Sequence, residues 1–491
     1  MSGRVPMSSY VVATSQTRTT SSGRRADLPL APWLLAVLVV ALAFGGLTGL
    51  LSLREVAVVA FVIQLLTAYQ LTRVHERTLS IASVFATLWI VYFPLRLLVI
   101  TFGEPSPFYF LSVRTASPEQ LISVWEVTTA AFLAFLIGQL FANKTVHLKG
   151  SVDNVHMTDR HLFVVGVGAV AVTATLTFFQ ASSGILGNIG QLVLFAIAGT
   201  SYLEAKTQRR SYASLTLVAV AASFGYLNGF KELMLLPVAA WVIGRAGAGN
   251  RLRLRYVVIV AVATAVAFAI IQGERDAANT GQLVTSPISA LQLGLTSYDL
   301  AYGTPADYHG LGIAANAANG VLYRLKGADY YIVIADKVPS VVPYQDGRSL
   351  WQPALSVLPG AKQLLGLEPP YRQLSLGRYI DQAFISENPT QDLSSQSTTV
   401  PGDLYLNFGV PGVLVGMMVL GALYGMFDGG FVIKGPLSAG ILAFAGLRLI
   451  QLDANIAYIL VTCGLRLGIS ALLLTWISLS QRTSSPREQA G

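Results

Sequence analysis

The sequence predicts an all-α integral membrane protein of about twelve transmembrane helices (eleven to thirteen), with one large, partly helical external loop. Three observations carry this. Of the 491 residues, 53% are hydrophobic and only 12% charged, whereas soluble domains carry roughly 25% charged residues. Mean hydropathy is +0.58. Apolar stretches of about 20 residues, the length that crosses a bilayer, recur along the chain, and Lys and Arg collect at every second boundary between them.

The elements follow in order. Residues 1–29 are Ser/Thr/Arg-rich and read as a disordered cytoplasmic tail with no cleavable signal. Spans one to nine fall within 30–273, at 30–50, 56–72, 79–101, 119–142, 161–180, 185–204, 211–229, 231–246 and 256–273. Residues 274–402 form the external, periplasmic loop, far longer than ordinary connections. Spans ten to twelve lie within 403–480, at 404–427, 435–452 and 456–479, and 481–491 is a second cytoplasmic tail.

Orientation follows from the basic residues of the short boundaries. Arg24 and Arg25, Arg73 and Arg77, Lys144 and Lys149, Arg209 and Arg210, Arg251 and Arg253, Lys434 and Arg482 mark one side, and the alternate short boundaries hold only Arg54, Arg114 and Lys231. Both termini are therefore expected in the cytoplasm. The formal charge of +8 is a topology signal and does not call for a nucleic-acid partner. The single cysteine, Cys463, rules out a disulfide within one chain.

The long loop holds eleven Asp/Glu against eight Lys/Arg, so it is mildly acidic. Within it, "GVLYRLKGADYYIVIADKV" (320–338) spaces its apolar residues as a helix does and meets a stop at Pro339. An aromatic-rich, partly folded loop of this kind is a candidate substrate-binding element.

Three arginines fall inside predicted spans: Arg96 beside Pro94, Arg448 towards the external end of its span, and Arg466 near the middle of the last. A charge at the centre of a bilayer costs at least about 2.5–3.5 kcal/mol on insertion scales, so each needs a partner or a wet cavity. Two readings stand. The arginines pair with Asp453, Glu55 or each other, or they converge below the external mouth as an anion site, because guanidinium forks match phosphate oxygens. Arg275, in "GERD" (273–276), sits where an anionic substrate would approach.

No Walker A, dinucleotide-binding, HExxH or GxSxG pattern occurs, and the five histidines lack metal-ligand spacing, so neither a metal nor a cofactor is expected. "PGDLYLNFGVPGVLVGMMVLGALYG" (401–425) opens on polar residues, steps through Gly-Val-Pro-Gly and carries Gly412/Gly416 and Gly421/Gly425 at small-xxx-small spacing for close helix packing.

The dozen spans, the long loop before the last few and this helix entry resemble bacterial O-antigen or oligosaccharide repeat-unit polymerases of the Wzy type, related to O-antigen ligases. "LYRLKGADYYIVI" (322–334), "WQPALSVLPGAKQLLGLEPPYRQLSLGRYI" (351–380) and "SSQSTTVPGDLYLNFG" (394–409) add to the likeness, which covers roughly residues 225–430. The resemblance implies a GT-C-like membrane glycosyltransferase. It would join glycan repeats carried on undecaprenyl diphosphate, donor and acceptor alike, at the outer face of the cytoplasmic membrane, with a chain-length regulator as a further partner. On matched positions Arg324 and Arg372 become diphosphate ligands; Lys362 stands where an arginine is common. That assigns the diphosphate to Arg96, Arg275, Arg324, Arg372, Arg448 and Arg466. Transfer also needs a base for the acceptor hydroxyl. The external candidates are His309, Asp299 and Asp403, with Asp307 and Asp276 behind them, and His309 is favoured for its near-neutral intrinsic pKa. Asp403 to Asn407 would line the cavity mouth. An O-antigen ligase-type transferase is the first rival and a lipid-linked oligosaccharide flippase the second, although a flippase would show internal repeats.

Overall fold

The computed structural model describes residues 32–74, 80–103, 111–145, 158–178, 184–208, 212–227, 231–249, isolated positions between 266 and 277, 286–296, 326–350, 379–380, 383–384, 398–430, 433, 435–452 and 454–484. Among these residues the regular secondary structure is helix, with no strand.

The helices are α1 (Pro32–Leu47), α2 (Leu53–Val74), α3 (Ile81–Tyr92), α4 (Pro94–Phe102), α5 (Leu111–Arg114), α6 (Pro118–Thr145), α7 (Asp159–Phe178), α8 (Gly184–Gly190), α9 (Leu192–Thr207), α10 (Ala213–Leu227) and α11 (Lys231–Gly247). After the long connection come α12 (Pro287–Thr296), α13 (Gly327–Lys337), α14 (Val400–Gly430), α15 (Pro436–Leu449) and α16 (Ile456–Ser484). Five segments are long and apolar enough to cross a membrane: Leu53–Thr72, Ile81–Phe102, Pro118–Ala142, Val400–Asp428 and Ile456–Leu479. Five shorter apolar helices accompany them. This is a helical membrane protein. The ninth predicted span (256–273), apart from isolated positions, the N-terminal tail and residues 485–491 lie outside the described residues, and the helix of the last span runs on to Ser484, into the predicted C-terminal tail.

The third predicted span is two helices, because Phe93 leaves helical geometry (φ −113°, ψ −79°) just before Pro94. The sixth is likewise split, into α8 and α9. Around the first break lies the aromatic core. Trp89 stacks on Phe93 and Phe132 with centroids 4.3 and 5.2 Å apart, and Phe85 stacks on Phe135 at 4.4 Å. The polar atoms of this layer are satisfied internally. Trp89 Nε1 donates to Gln64 Oε1 (2.8 Å), and Gln64 Nε2 donates to Thr129 Oγ1 (2.9 Å). An unpaired group in an apolar medium would cost several kcal/mol.

The glycines behave as their spacing predicts. Added Cβ atoms on Gly421 and Gly425 would meet the Phe135 and Gln139 carbonyls of α6, and one on Gly138 would meet the Met418 carbonyl of α14. α6 and α14 thus cross backbone to backbone.

What the periodicity does not anticipate is that α14 folds back on itself. Gly409 has φ 65° and ψ −157°, a conformation that favours glycine. A Cβ on Gly412 would come within 3.0 Å of the Leu404 carbonyl, and the Leu404 side chain packs on Gly416. In a straight helix residues 404 and 416 would be about 18 Å apart along the axis. Residues 400–408 are therefore a short helix folded back beside 412–430, rather than the first turns of one span.

Candidate functional site

Three buried carboxylates share one local use, at helix starts, where the first N–H groups lack partners and the dipole favours negative charge. Asp428 accepts from Ser80 Oγ and from the backbone N–H groups of Ile81 (2.8 Å) and Ala82 (3.1 Å), starting α3. Glu204 accepts from the Ser214 N–H (3.1 Å) and hydroxyl (2.5 Å), starting α10. Asp403 accepts from the Ile456 N–H (3.1 Å), starting α16.

Asp403 also receives the Ser349 hydroxyl at 2.6 Å, and the Asn407 amide donates to Ser349 Oγ (2.6 Å) and to the Asp403 carbonyl (2.7 Å). Asn455 donates to the Ser349 carbonyl at 3.4 Å, and the Val400 N–H donates to the Leu452 carbonyl at 3.1 Å. This polar node joins three parts of the chain: the loop segment around Ser349, the fold-back helix, and the turn between α15 and α16. Asp403, Asn407 and Ser349 are each 0% exposed. The expectation that Asp403 and Asn407 line an open mouth is therefore corrected. Burial and two accepted hydrogen bonds make Asp403 a brace, with no oxygen turned towards solvent.

The loop helix α13 is the second inserted element. It begins at Gly327 and ends at Lys337 with Val338 as its C-cap, just ahead of Pro339. Its apolar residues Tyr331, Ile332, Val333 and Ile334 are buried. It packs on α4, α5, α6 and α14. Tyr331 lies edge-on to Tyr405 with centroids 5.5 Å apart, and burial pushes its hydroxyl well above the usual tyrosine range. Tyr344, further along, packs over the Gly409 reversal.

The three span arginines occupy separate hydrogen-bonding sites. Arg96 is held in a two-point fork by Asp329 of α13, Nε to Oδ2 at 2.7 Å and an Nη to Oδ1 at 2.8 Å, with side chains 3% and 0% exposed. The fork expected to hold phosphate grips a carboxylate. Arg466 donates to the Phe444 carbonyl (2.7 Å) and to Asn188 Oδ1 (3.0 Å), and its guanidinium lies over the Phe444 ring. Phe444 sits in a π-helical turn, Leu442–Gly446, inside α15. The side chain thus serves a carbonyl where the regular ladder is widened. Arg448 donates to Gln451 Oε1 at 2.9 Å, lies over the Tyr458 ring and is 6% exposed. It stands four residues before Leu452, where the fold-back helix is tied down.

Arg275, Arg324, Arg372, Lys362, His309, Asp299, Asp307 and Asp276 lie outside the described residues. Among the described residues no group of three or more His, Cys, Asp or Glu side chains could hold a metal ion. Sequence reasoning passed over Asp329 and Ser349. Asp329 had a signal, since it falls on the apolar side of its predicted helix, three and four residues before Ile332 and Val333. Ser349 had none. No family model, no curated protein and no solved structure matches the chain.

Proposed function

We propose that this membrane protein is a polysaccharide polymerase of the GT-C kind, joining undecaprenyl-diphosphate-linked oligosaccharide repeats at the outer face of the cytoplasmic membrane. The observation that carries the reading is the buried polar node around Ser349, where the long loop and a fold-back helix enter the helical bundle a few residues from the buried Arg448. A cation fixed in a dry site stabilises charge that develops on a leaving group far better than one in water. In the proposed reaction the bond between the donor sugar's anomeric carbon and the phosphate oxygen breaks. The acceptor hydroxyl forms the new bond and gives up its proton to a base.

Roles then divide. Arg448 takes the diphosphate, with Arg275, Arg324 and Arg372 as further candidates from the resemblance. Arg96 and Arg466 hold the scaffold. With Asp403 a brace, the base falls to His309 or Asp299. The inner-membrane location and cytoplasmic termini belong to the same proposal and rest on the distribution of basic residues.

The test is the glycan profile of a strain lacking the protein. Single capped repeats with loss of long chains support a polymerase. Long chains that persist unattached indicate a ligase, and cytoplasmic build-up of lipid-linked repeats indicates a flippase.

A further inference from the structure

The reversal at Gly409 sits at a definite height in the bundle. At the far end of α14, Asp428 caps the start of α3, close to the basic boundary that holds Arg73 and Arg77. Val410 precedes Asp428 by eighteen residues, about 27 Å along a helix axis, and a hydrocarbon core is about 30 Å thick. The two ends of this limb therefore match the two faces of a membrane, and the reversal lies at the face opposite the basic boundary.

Val415, Met418 and Val419 are exposed along α14, at the three- and four-residue spacing that makes one helical stripe. On an apolar helix of spanning length such a stripe faces lipid. Val410 is exposed above it, and Phe408, packed on Gly412, is 46% exposed at its top.

The long loop reaches the same place. The Gln345 N–H donates to the Leu406 carbonyl at 3.0 Å. A Cβ added to Gly347 would lie 3.2 Å from Phe408 Cζ, and one added to Gly409 would lie 2.8 Å from the Tyr344 hydroxyl. Asp346 and Gly347 take positive φ (47° and 83°), and the Arg348 N–H closes the turn on the Gln345 carbonyl at 2.8 Å. Pro343, Tyr344, Asp346 and Arg348 are exposed on this turn. Exposed aromatic rings at the end of a lipid-facing stripe, with an arginine four residues beyond Tyr344, have the pattern of a membrane interface. There rings sit at headgroup level and long cationic side chains extend to phosphate.

We propose that the turn at 343–348 and the reversal at 408–411 form a foot that seats the long loop on the outer leaflet. Tyr344 and Phe408 lie among the lipid headgroups and Arg348 on their phosphates. The choice of leaflet follows the orientation in the functional reading above; the contact with lipid depends neither on it nor on any transfer chemistry. Ser349 of the buried node follows Arg348 directly, so the foot fixes the height of that node relative to the bilayer surface.

The experiment uses the full chain in nanodiscs of phosphatidylcholine and phosphatidylglycerol, with a nitroxide at Phe408→Cys or, separately, at Tyr344→Cys, in a Cys463→Ala background. Collision of the probe with oxygen, which concentrates in lipid, is compared with collision with a water-soluble nickel chelate. Val415→Cys supplies the lipid reference and Gln208→Cys the aqueous one. The oxygen-to-nickel ratio at 344 and 408 is expected to fall between the references, at least about fivefold above the aqueous one, as for groups at headgroup level. Arg348→Glu sets a carboxylate against the phosphates and should lower the ratio at 344 about twofold or more, with the unfolding midpoint unchanged. Water-like ratios at both positions in folded protein would overturn the foot and leave the patch to a soluble partner such as glycan. An unchanged ratio in Arg348→Glu would remove the phosphate contact. Where one cysteine variant does not fold, the other decides. Glycan transfer enters none of these readings, so the foot and the polymerase proposal fail separately.

Discussion

The Arg96–Asp329 pair offers the sharpest structural prediction. Both side chains are buried, and two hydrogen bonds of 2.7 and 2.8 Å join them across 233 residues of sequence. Removing one partner leaves the other charge buried and uncompensated, a loss of about 3–5 kcal/mol in comparable sites, whereas replacing both by apolar groups of similar volume is often neutral. Arg96→Met and Asp329→Leu should therefore each destabilise the protein by about 3–5 kcal/mol, and the double variant should return to within about 1–2 kcal/mol of the wild type. Arg96→Lys keeps the charge and loses the fork, and should fall between. The assay is reversible SDS unfolding of purified protein. The double variant isolates the pair because α13 still packs through Tyr331, Ile332 and Val333. Additive losses in the double variant, or an Arg96→Met protein as stable as the wild type, would refute the reasoning.

Three further outcomes follow from the same geometry. Asp403→Asn turns an N–H donor towards either the Ser349 hydroxyl or the Ile456 N–H. It should cost about 1–3 kcal/mol of stability with transfer activity per folded molecule retained; a stable but inactive variant would return Asp403 to the chemistry. Gly409→Ala places a Cβ 2.8 Å from the Tyr344 hydroxyl at φ 65°, so it should lower stability by at least about 1–2 kcal/mol for the left-handed backbone alone, and an unaltered unfolding midpoint would contradict the fold-back. For topology, Val341 is 73% exposed, and the native Cys463 is buried. Val341→Cys should label from outside intact cells and Gln208→Cys should not; external labelling at 208 would invert the proposed orientation.

The local rules of the sequence carried through to the helices. The described parts of the predicted spans are helical, and five helices among them are long and apolar enough to cross a membrane. Pro339 ended α13, and the glycines at 421 and 425 became a backbone crossing because that spacing puts both on one face. The misses are long-range. Arg96 declares a need for a partner, but nothing local names Asp329, which a separate element brings to it. The Gly-Val-Pro-Gly step announces a break and not its angle, and apolar periodicity continues across Gly409 because both limbs are buried in the same bundle. Arg466 needs a partner or a wet cavity, and a π-helical turn in another helix supplies a carbonyl. A single sequence gives no warning of such a turn.

The central claim, that Arg448 holds the diphosphate of a lipid-linked donor, is tested most directly by chain extension in vitro with Arg448→Lys and Arg448→Ala, measured beside the melting temperature with and without undecaprenyl diphosphate. The expected result is near-normal stability in both variants, strongly reduced extension in Arg448→Lys and none in Arg448→Ala. The stabilisation that the ligand gives the folded wild type should disappear with it. Full extension by Arg448→Ala, or a loss of activity matched by unfolding, would contradict the account.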